Sequence, residues 1–132
     1  MEYNTYVCKR DGNSLPEIDF DFEKKIFCMK GSSSVSDPEE FYKKLETIIR
    51  ENGEKLKNNS VNVICEFDYI NTGSTKCIYN LIKRFCEISQ KVLIEWNHAE
   101  EDEDTMECGM FIEEELLSEY KNFSMQMIKM AW

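Results

Sequence analysis

Apolar residues recur along this chain at spacings that switch between those of strands and those of helices. In residues 16–30, Ile18, Phe20 and Phe22 alternate with acids, and a second apolar run follows the Glu23-Lys24 pair. This period of two, folded back at a short polar turn, predicts a β-hairpin over residues 16–30. The β-forming residues of 3–10 predict an edge strand before it.

A helix is predicted after the Ser-rich loop that follows the hairpin. Asp37 is a suitable N-cap, Pro38 a suitable first helical residue, and the apolar positions beyond them recur at helical spacing to about residue 59. Residues 60–69 come next, with four apolar side chains on one face and Ile64 on the other. That pattern predicts a central strand covered on both sides.

The same alternation continues to the end of the sequence. A helix is predicted over 73–89, a buried strand over 91–97, and a last helix over 105–118, before an extended tail at 123–130. The apolar face of the last helix is assigned to Met106, Met110 and Leu117. Strands alternating with helices predict an α/β fold, a mixed sheet with an N-terminal hairpin and about three helices packed on it. A chain of 132 residues has little room for a second core, so we expect one domain over 1–132.

The net charge of −10 comes from one segment. Residues 99–119 contain ten Asp and Glu and no Lys or Arg, whereas the rest of the chain has equal numbers of acids and bases. An acidic surface repels phosphate backbones and anionic lipid, so nucleic acid is not expected as a partner. The same segment would attract a basic protein surface and speed its encounter. No run of 18 apolar residues is present, so no membrane insertion is expected.

Cysteine usage and the N-terminus indicate a cytoplasmic protein without cofactors. The first residues lack the basic and apolar segments of a signal peptide. The six cysteines have no CxxC pair and no zinc spacing, which favours reduced, buried thiols and no metal site. No P-loop and no GxGxxG motif supports a nucleotide site.

Catalysis has weak support in the sequence. His98 is the only histidine, its neighbours are Asn97 and acids, and no GxSxG elbow is present. A small enzyme that uses His98 or Cys108 with the acidic cluster 100–104 is retained as an alternative.

The segment 68–76 (Asp-Tyr-Ile-Asn-Thr-Gly-Ser-Thr-Lys) joins a buried strand directly to an amphipathic helix. It places Asn71, Thr72, Ser74 and Thr75 at the start of that helix. One interpretation is capping, in which a side-chain oxygen accepts a hydrogen bond from an otherwise unpaired helix N–H. The other is modification, because free N–H groups and the helix dipole would stabilise a phosphate on a hydroxyl. The residues leave both open.

Several distinctive motifs occur in order between about residues 15 and 118. They are Pro16-Glu17-Ile18, Gly31, Asp37-Pro38-Glu39-Glu40-Phe41-Tyr42, Phe67-Asp68-Tyr69-Ile70-Asn71-Thr72-Gly73-Ser74, Trp96 and Asp102-Glu103-Asp104-Thr105-Met106-Glu107-Cys108-Gly109. Together they resemble the SiaC family of bacterial regulatory phosphoproteins. That family is similar to SpoIIAA-type anti-sigma-factor antagonists, which have a STAS-like fold.

The resemblance implies a non-enzymatic partner switch with a single STAS-like domain. In the family, a dedicated Ser/Thr kinase phosphorylates the Thr of an Asn-Thr-x-Ser motif and a metal-dependent Ser/Thr phosphatase removes the phosphate. The unphosphorylated form of the characterised type binds a diguanylate cyclase and promotes cyclic di-GMP synthesis. By motif position the phosphorylated residue is Thr72. Gly73 stands where the family commonly has Ser, which leaves Ser74 and Thr75 as secondary candidates.

The expected partner surface is the junction around the phosphorylated residue together with the acidic motif. Its residues are Tyr69, Asn71, Thr72, Gly73, Ser74, Lys76, Asp102, Asp104 and Glu107. Residues 33–36 depart from the family's usual sequence. The alternative within this fold is a STAS-like protein-binding module that is never phosphorylated, in which Thr72 only caps the helix.

Overall fold

The computed structural model describes residues 4–9 and 14–131, and in these residues six strands form one sheet with four helices. In chain order the elements are β1 Thr5–Cys8, β2 Glu17–Asp21, β3 Ile26–Ser33, α1 Glu39–Glu51, α2 Gly53–Leu56, β4 Ser60–Ile70, α3 Thr72–Ile88, β5 Lys91–Ala99, α4 Glu103–Leu117 and β6 Phe123–Met130. The strands lie side by side in the order in which they occur along the chain. Strands β1 to β3 are antiparallel and β3 to β6 are parallel, which confirms the predicted mixed α/β sheet with an N-terminal hairpin.

The hairpin turn between β2 and β3 is held by a carboxylate. Asp21 Oδ1 accepts hydrogen bonds from the backbone N–H groups of Glu23 and Lys24, at 3.0 and 2.9 Å. Lys25 adopts a left-handed φ of 60°, which lets the chain reverse. The predicted edge strand is confirmed as β1, while Tyr3 and Arg10, at the ends of the predicted stretch, lie outside the described residues.

The first helix differs from its prediction at both ends. Its N-cap residue is Pro38, with no side-chain hydrogen bond, so the expected cap by Asp37 is not formed. The predicted single helix stops at Glu51 and resumes as α2, because Asn52 is buried and its Nδ2 donates to the carbonyl oxygen of Ile48. Such a side-chain bond competes with helix continuation.

The C-terminal tail is not a free extension but the sixth strand. It pairs in parallel with β5 from Val92↔Phe123 to Ala99↔Met130. Helix α4 supplies the crossover that brings the chain back beside β5, as a parallel pair requires.

The apolar face predicted for α4 is wrong. The helix buries Thr105, Cys108, Gly109, Ile112 and Leu116, whereas the predicted Met110 and Leu117 are 53% and 63% exposed. The reason is tertiary: at Gly109 the helix backbone lies directly against the indole of Trp96. Trp96 Nε1 also donates to the carbonyl oxygen of Thr105, at 2.9 Å.

The helices pack on one face of the sheet only. Val61, Val63, Cys65 and Phe67 of β4 point into the core that the helices cover. Ile64 points to the other face and is only half-buried, so the prediction of a strand covered on both sides is wrong. Sequence periodicity did not distinguish the two cases, because an apolar residue also occurs on the uncovered face.

The six thiols are free. Cys65, Cys86 and Cys108 are buried as expected, whereas Cys8, Cys28 and Cys77 are only half-buried, so the expectation of buried thiols is wrong for those three. Burial raises the pKa of the Cys86 thiol to about 12, with a smaller contribution from the neighbouring Glu87 carboxylate, so that thiol is protonated at neutral pH. None of the helices in the described part of the chain has the length and hydropathy to cross a bilayer.

Candidate functional site

The junction between β4 and α3 contains no loop. Ile70 ends the strand, Asn71 is the N-cap, and Thr72 is the first residue of the helix. Asn71 Oδ1 accepts a hydrogen bond from the N–H of Ser74, and its Nδ2 donates to the carbonyl oxygen of Val35, both at 2.9 Å. Capping at this junction is therefore performed by Asn71, which also holds the loop before α1.

Replacing Asn71 with alanine is expected to lower the free energy of unfolding by about 1–2 kcal/mol, because the helix loses its cap and the loop loses its tether. Thr72→Ala, one residue away, is expected to change it by less than about 0.5 kcal/mol. Urea denaturation followed by circular dichroism measures both. Equal losses from the two variants would contradict the assignment of the cap to Asn71.

The three hydroxyl groups near this helix start have different surroundings. Thr72 is exposed, and none of the hydrogen bonds formed within the described residues engages its hydroxyl. Thr75 is half-buried, and its Oγ1 donates to the carbonyl oxygen of Asn71 at 3.4 Å and accepts from Cys108 Sγ at 3.6 Å.

Ser74 belongs to a buried hydroxyl network. Its Oγ accepts a hydrogen bond from Ser33 Oγ at 2.8 Å, and Ser33 Oγ lies 2.7 Å from the Tyr42 hydroxyl. All three side chains are buried, and burial raises the pKa of Tyr42 far above its ordinary value despite the hydrogen bond with Ser33. The network connects β3, α1 and α3, so a phosphate on Ser74 would require this part of the core to open.

Thr72 lies in an open groove between the start of α3 and helix α4, with a volume of about 580 Å³. Six of the residues expected at the partner surface line this groove: Tyr69, Asn71, Thr72, Lys76, Asp104 and Glu107. The two sequence motifs, far apart along the chain, are thus neighbours in space. They meet because α3 and α4 follow adjacent parallel strands and start at the same edge of the sheet.

Three expected residues lie outside this groove. Ser74 is buried, as described above. Gly73 faces α1, where an added Cβ would lie 3.8 Å from Pro38 Cγ. Asp102 is the N-cap of α4, with Oδ1 accepting from the N–H of Thr105 at 3.0 Å and Oδ2 accepting from its hydroxyl at 2.7 Å.

The expected partner surface included one exposed aromatic residue of the groove, Tyr69, and missed a second, Phe111. Phe111 lines the groove and is 47% exposed, and Tyr69 beside it is 53% exposed. Aromatic side chains are enriched at protein interfaces. Phe111 would have been found only with the correct rotation of α4, which the contact between Gly109 and Trp96 determines.

The charges in the groove are mixed. Among the residues that the structure describes, Lys76 is the only lysine or arginine that lines the groove. It lies one helical turn after Thr72. Asp104 and Glu107 contribute two carboxylates from α4. A surface with exposed aromatic rings and both signs of charge is suited to binding a protein rather than a small apolar ligand.

The residues considered for catalysis are poorly placed. His98 is buried, and its Nδ1 lies 2.9 Å from the carbonyl oxygen of Ala99. Cys108 is also buried, which raises the pKa of its thiol, an effect that the hydrogen bond with Thr75 opposes. Within residues 4–9 and 14–131, no three His, Cys, Asp or Glu side chains converge as a metal site. The alternative of a small enzyme gains no support from this arrangement.

Three chains of solved structures share the fold. SiaC of Pseudomonas aeruginosa superposes with a TM-score of 0.73 at 15% identity, covering 98% of this chain and 100% of that one. The apo form of SiaC from the same organism gives 0.67 at 15% identity, covering 96% and 99%. A chain of the complex of the diguanylate cyclase SiaD with its activator SiaC gives 0.64 at 17% identity, covering 92% and 96%.

No curated protein sequence matches this chain significantly. A family model does match, and it spans residues 10–130, almost the whole chain and both motifs that form the groove. The chain belongs to the SiaC family of regulatory phosphoproteins.

Proposed function

We propose that this protein is a non-enzymatic partner switch in which phosphorylation of Thr72 controls binding of a target protein at the groove between α3 and α4. The unphosphorylated form binds the target and the phosphorylated form does not. A Ser/Thr protein kinase adds the phosphate, and a metal-dependent Ser/Thr phosphatase removes it.

The observation that carries this proposal is the position of the Thr72 side chain. It is exposed in the groove at the first residue of α3, and it is not needed as a cap because Asn71 caps the helix. A kinase can therefore reach the hydroxyl without unfolding the junction. The positive end of the helix dipole stabilises the phosphate that results, so the modified chain stays folded.

The groove explains how one phosphate would act on a partner. Phosphorylation adds a charge of about −1.5 to −2. Asp104 and Glu107 line the same groove, so the added charge makes the groove strongly negative. It also changes which negatively charged groups can form an ion pair with Lys76. A target whose apolar and charged groups match the unmodified groove would then be repelled by the added charge. Its binding would also require the phosphate to be desolvated, which is costly.

A diguanylate cyclase is the target that we propose for this chain. In the related complex, SiaC is the activator of the diguanylate cyclase SiaD. The exposed rings of Tyr69 and Phe111 provide the aromatic contacts that a protein interface needs, and Lys76, Asp104 and Glu107 provide the charged rim. Binding of the unphosphorylated form would promote cyclic di-GMP synthesis.

The phosphorylation step is tested by mass spectrometry of the intact protein isolated from its native cells. We expect a species heavier by one phosphate group in the wild type and in Thr75→Ala, and no such species in Thr72→Ala. Thr75→Ala is the matched control, since it removes a neighbouring hydroxyl of the same groove. A phosphate that persists in Thr72→Ala would place the switch at another residue, and a single unmodified mass under all growth conditions would favour an unphosphorylated binding module.

A further inference from the structure

The sheet face opposite the helices is uncovered in the part of the chain that the structure describes. Parallel strands such as β3 to β6 usually have both faces buried. Here the uncovered face has an apolar centre, formed by Ile26, Cys28, Ile64 and Leu93. We call this surface the open face.

The apolar centre of the open face is contiguous and concave. The strand register places Cys28 beside Ile64, and Ile26 and Leu93 on either side of the short Asn62. A groove of about 470 Å³ runs over Ile26, Ile64 and Leu93, and Leu93 is 39% exposed. Its floor is deepened by the small side chains of Asn62 and Ser124.

Carboxylates surround this apolar centre. Five acids project from the same face: Glu17, Asp19, Asp21, Glu66 and Glu95. Three lysines share this face with the five acids: Lys30, 3.9 Å from Glu66, Lys9, 3.5 Å from Glu17 at the edge, and the exposed Lys91, two residues before Leu93 on β5. The pKa of the Cys28 thiol reflects this field: partial burial raises it most, the carboxylate of Asp19 raises it further, and Lys30 opposes them.

The geometry points to a second docking site here: we propose that the open face binds an amphipathic helix of a partner protein, with an apolar stripe flanked by lysine or arginine. The apolar stripe would cover Ile26, Ile64 and Leu93, as a helix covers the other face of the same sheet. The basic flanks would meet the surrounding carboxylates. A second copy of this chain is a poor occupant, because two such faces would bring their carboxylates together.

This site is separate from the groove of the proposed function. The open face is opposite the side of the sheet on which α3 and α4 pack, so a phosphate on Thr72 would not touch its occupant. We therefore expect Thr72→Asp to leave binding at the open face unchanged. That independence allows the open-face proposal to fail or succeed separately from the phosphorylation switch.

The test uses two synthetic amphipathic helices of about five turns, with the same leucine stripe and either lysine or glutamate on the polar face. Binding to the full chain is measured by fluorescence anisotropy and located by amide chemical shifts. We expect the lysine peptide to bind and to shift amides of residues 62–66 and 93–97, and the glutamate peptide not to bind. Leu93→Lys should weaken binding of the lysine peptide about tenfold or more, and a tenfold loss of affinity corresponds to about 1.4 kcal/mol.

Leu117→Lys is the matched control, since it adds the same charge at an exposed leucine on α4. It should change the affinity less than about twofold, and Glu95→Gln, which leaves the apolar centre intact, should give an intermediate loss. Shifts confined to α4, or equal losses in the two lysine variants, would overturn the proposal. Self-association that Leu93→Lys abolishes in sedimentation equilibrium would assign the face to a second copy instead.

Discussion

Thr72→Asp is expected to weaken binding of the proposed target, a diguanylate cyclase, about tenfold or more while the chain stays folded. The aspartate places a permanent negative charge in the groove that already contains Asp104 and Glu107. Like charges brought together at an interface cost several kcal/mol, and about 1.4 kcal/mol is a factor of ten in affinity. The same charge is favourable within the chain, because Thr72 is the first residue of α3 and a carboxylate there interacts well with the helix dipole.

Isothermal titration calorimetry with the diguanylate cyclase of the source organism measures this effect, and cyclic di-GMP production reports its consequence. Thr72→Ala should bind like the wild type, since the cap belongs to Asn71. Thr47→Asp is the charge control, because Thr47 is an exposed residue of α1 outside the groove. The proposal is contradicted if Thr72→Asp binds as tightly as Thr72→Ala, or if Thr47→Asp weakens binding to the same extent.

Gly109→Ala is expected to lower the free energy of unfolding by about 2 kcal/mol. An added Cβ would lie 2.5 Å from Nε1 and 2.6 Å from Cδ1 of the buried Trp96, so the helix or the ring must shift. Overpacking of this kind costs about 1–3 kcal/mol, and loss of the hydrogen bond from Trp96 to Thr105 adds about 1 kcal/mol. The higher helix propensity of alanine offsets about 1 kcal/mol of this loss of stability.

Gly73→Ala provides a control of opposite sign. Its added Cβ would lie 3.8 Å from Pro38, which is ordinary contact, and the residue is in the first turn of α3. We expect it to leave stability unchanged or to raise it by up to about 1 kcal/mol. Urea denaturation compares the two variants, and near-ultraviolet circular dichroism reports the packing of Trp96. A Gly109→Ala protein as stable as the Gly73→Ala protein would show that the helix is not held against the indole.

The effect of Gly109→Ala should extend to the groove. Phe111, Asp104 and Glu107 stand on the same helix as Gly109, so displacing that helix moves one wall of the groove. We expect Gly109→Ala to weaken target binding as well, even at temperatures where the protein is fully folded.

Much of this architecture follows from local patterns in the sequence. Ile18, Phe20 and Phe22 alternate with acids, and only a strand places such residues on one buried face. The position of the junction was also predicted, because the strand pattern of 60–69 changes directly to a helical pattern. Polar residues that can cap a helix occur where the pattern changes. The resemblance of the motifs then predicted the family, which the family model confirmed.

The sequence by itself thus determined the order of the elements as far as α4, apart from the break between α1 and α2, together with the mixed sheet and the position of Thr72 at the start of α3. Tertiary structure alone decided which hydroxyl is exposed, since the residues place Thr72 and the secondary candidate Ser74 alike at the helix start, and only the packing of Ser33 and Tyr42 buries Ser74. It also decided the rotation of α4, because the contact between Gly109 and Trp96 joins residues of different elements. Tertiary structure also decided that the open face is uncovered. Whether a sheet face is covered depends on where the helices pack and not on the apolar residues of the strand alone.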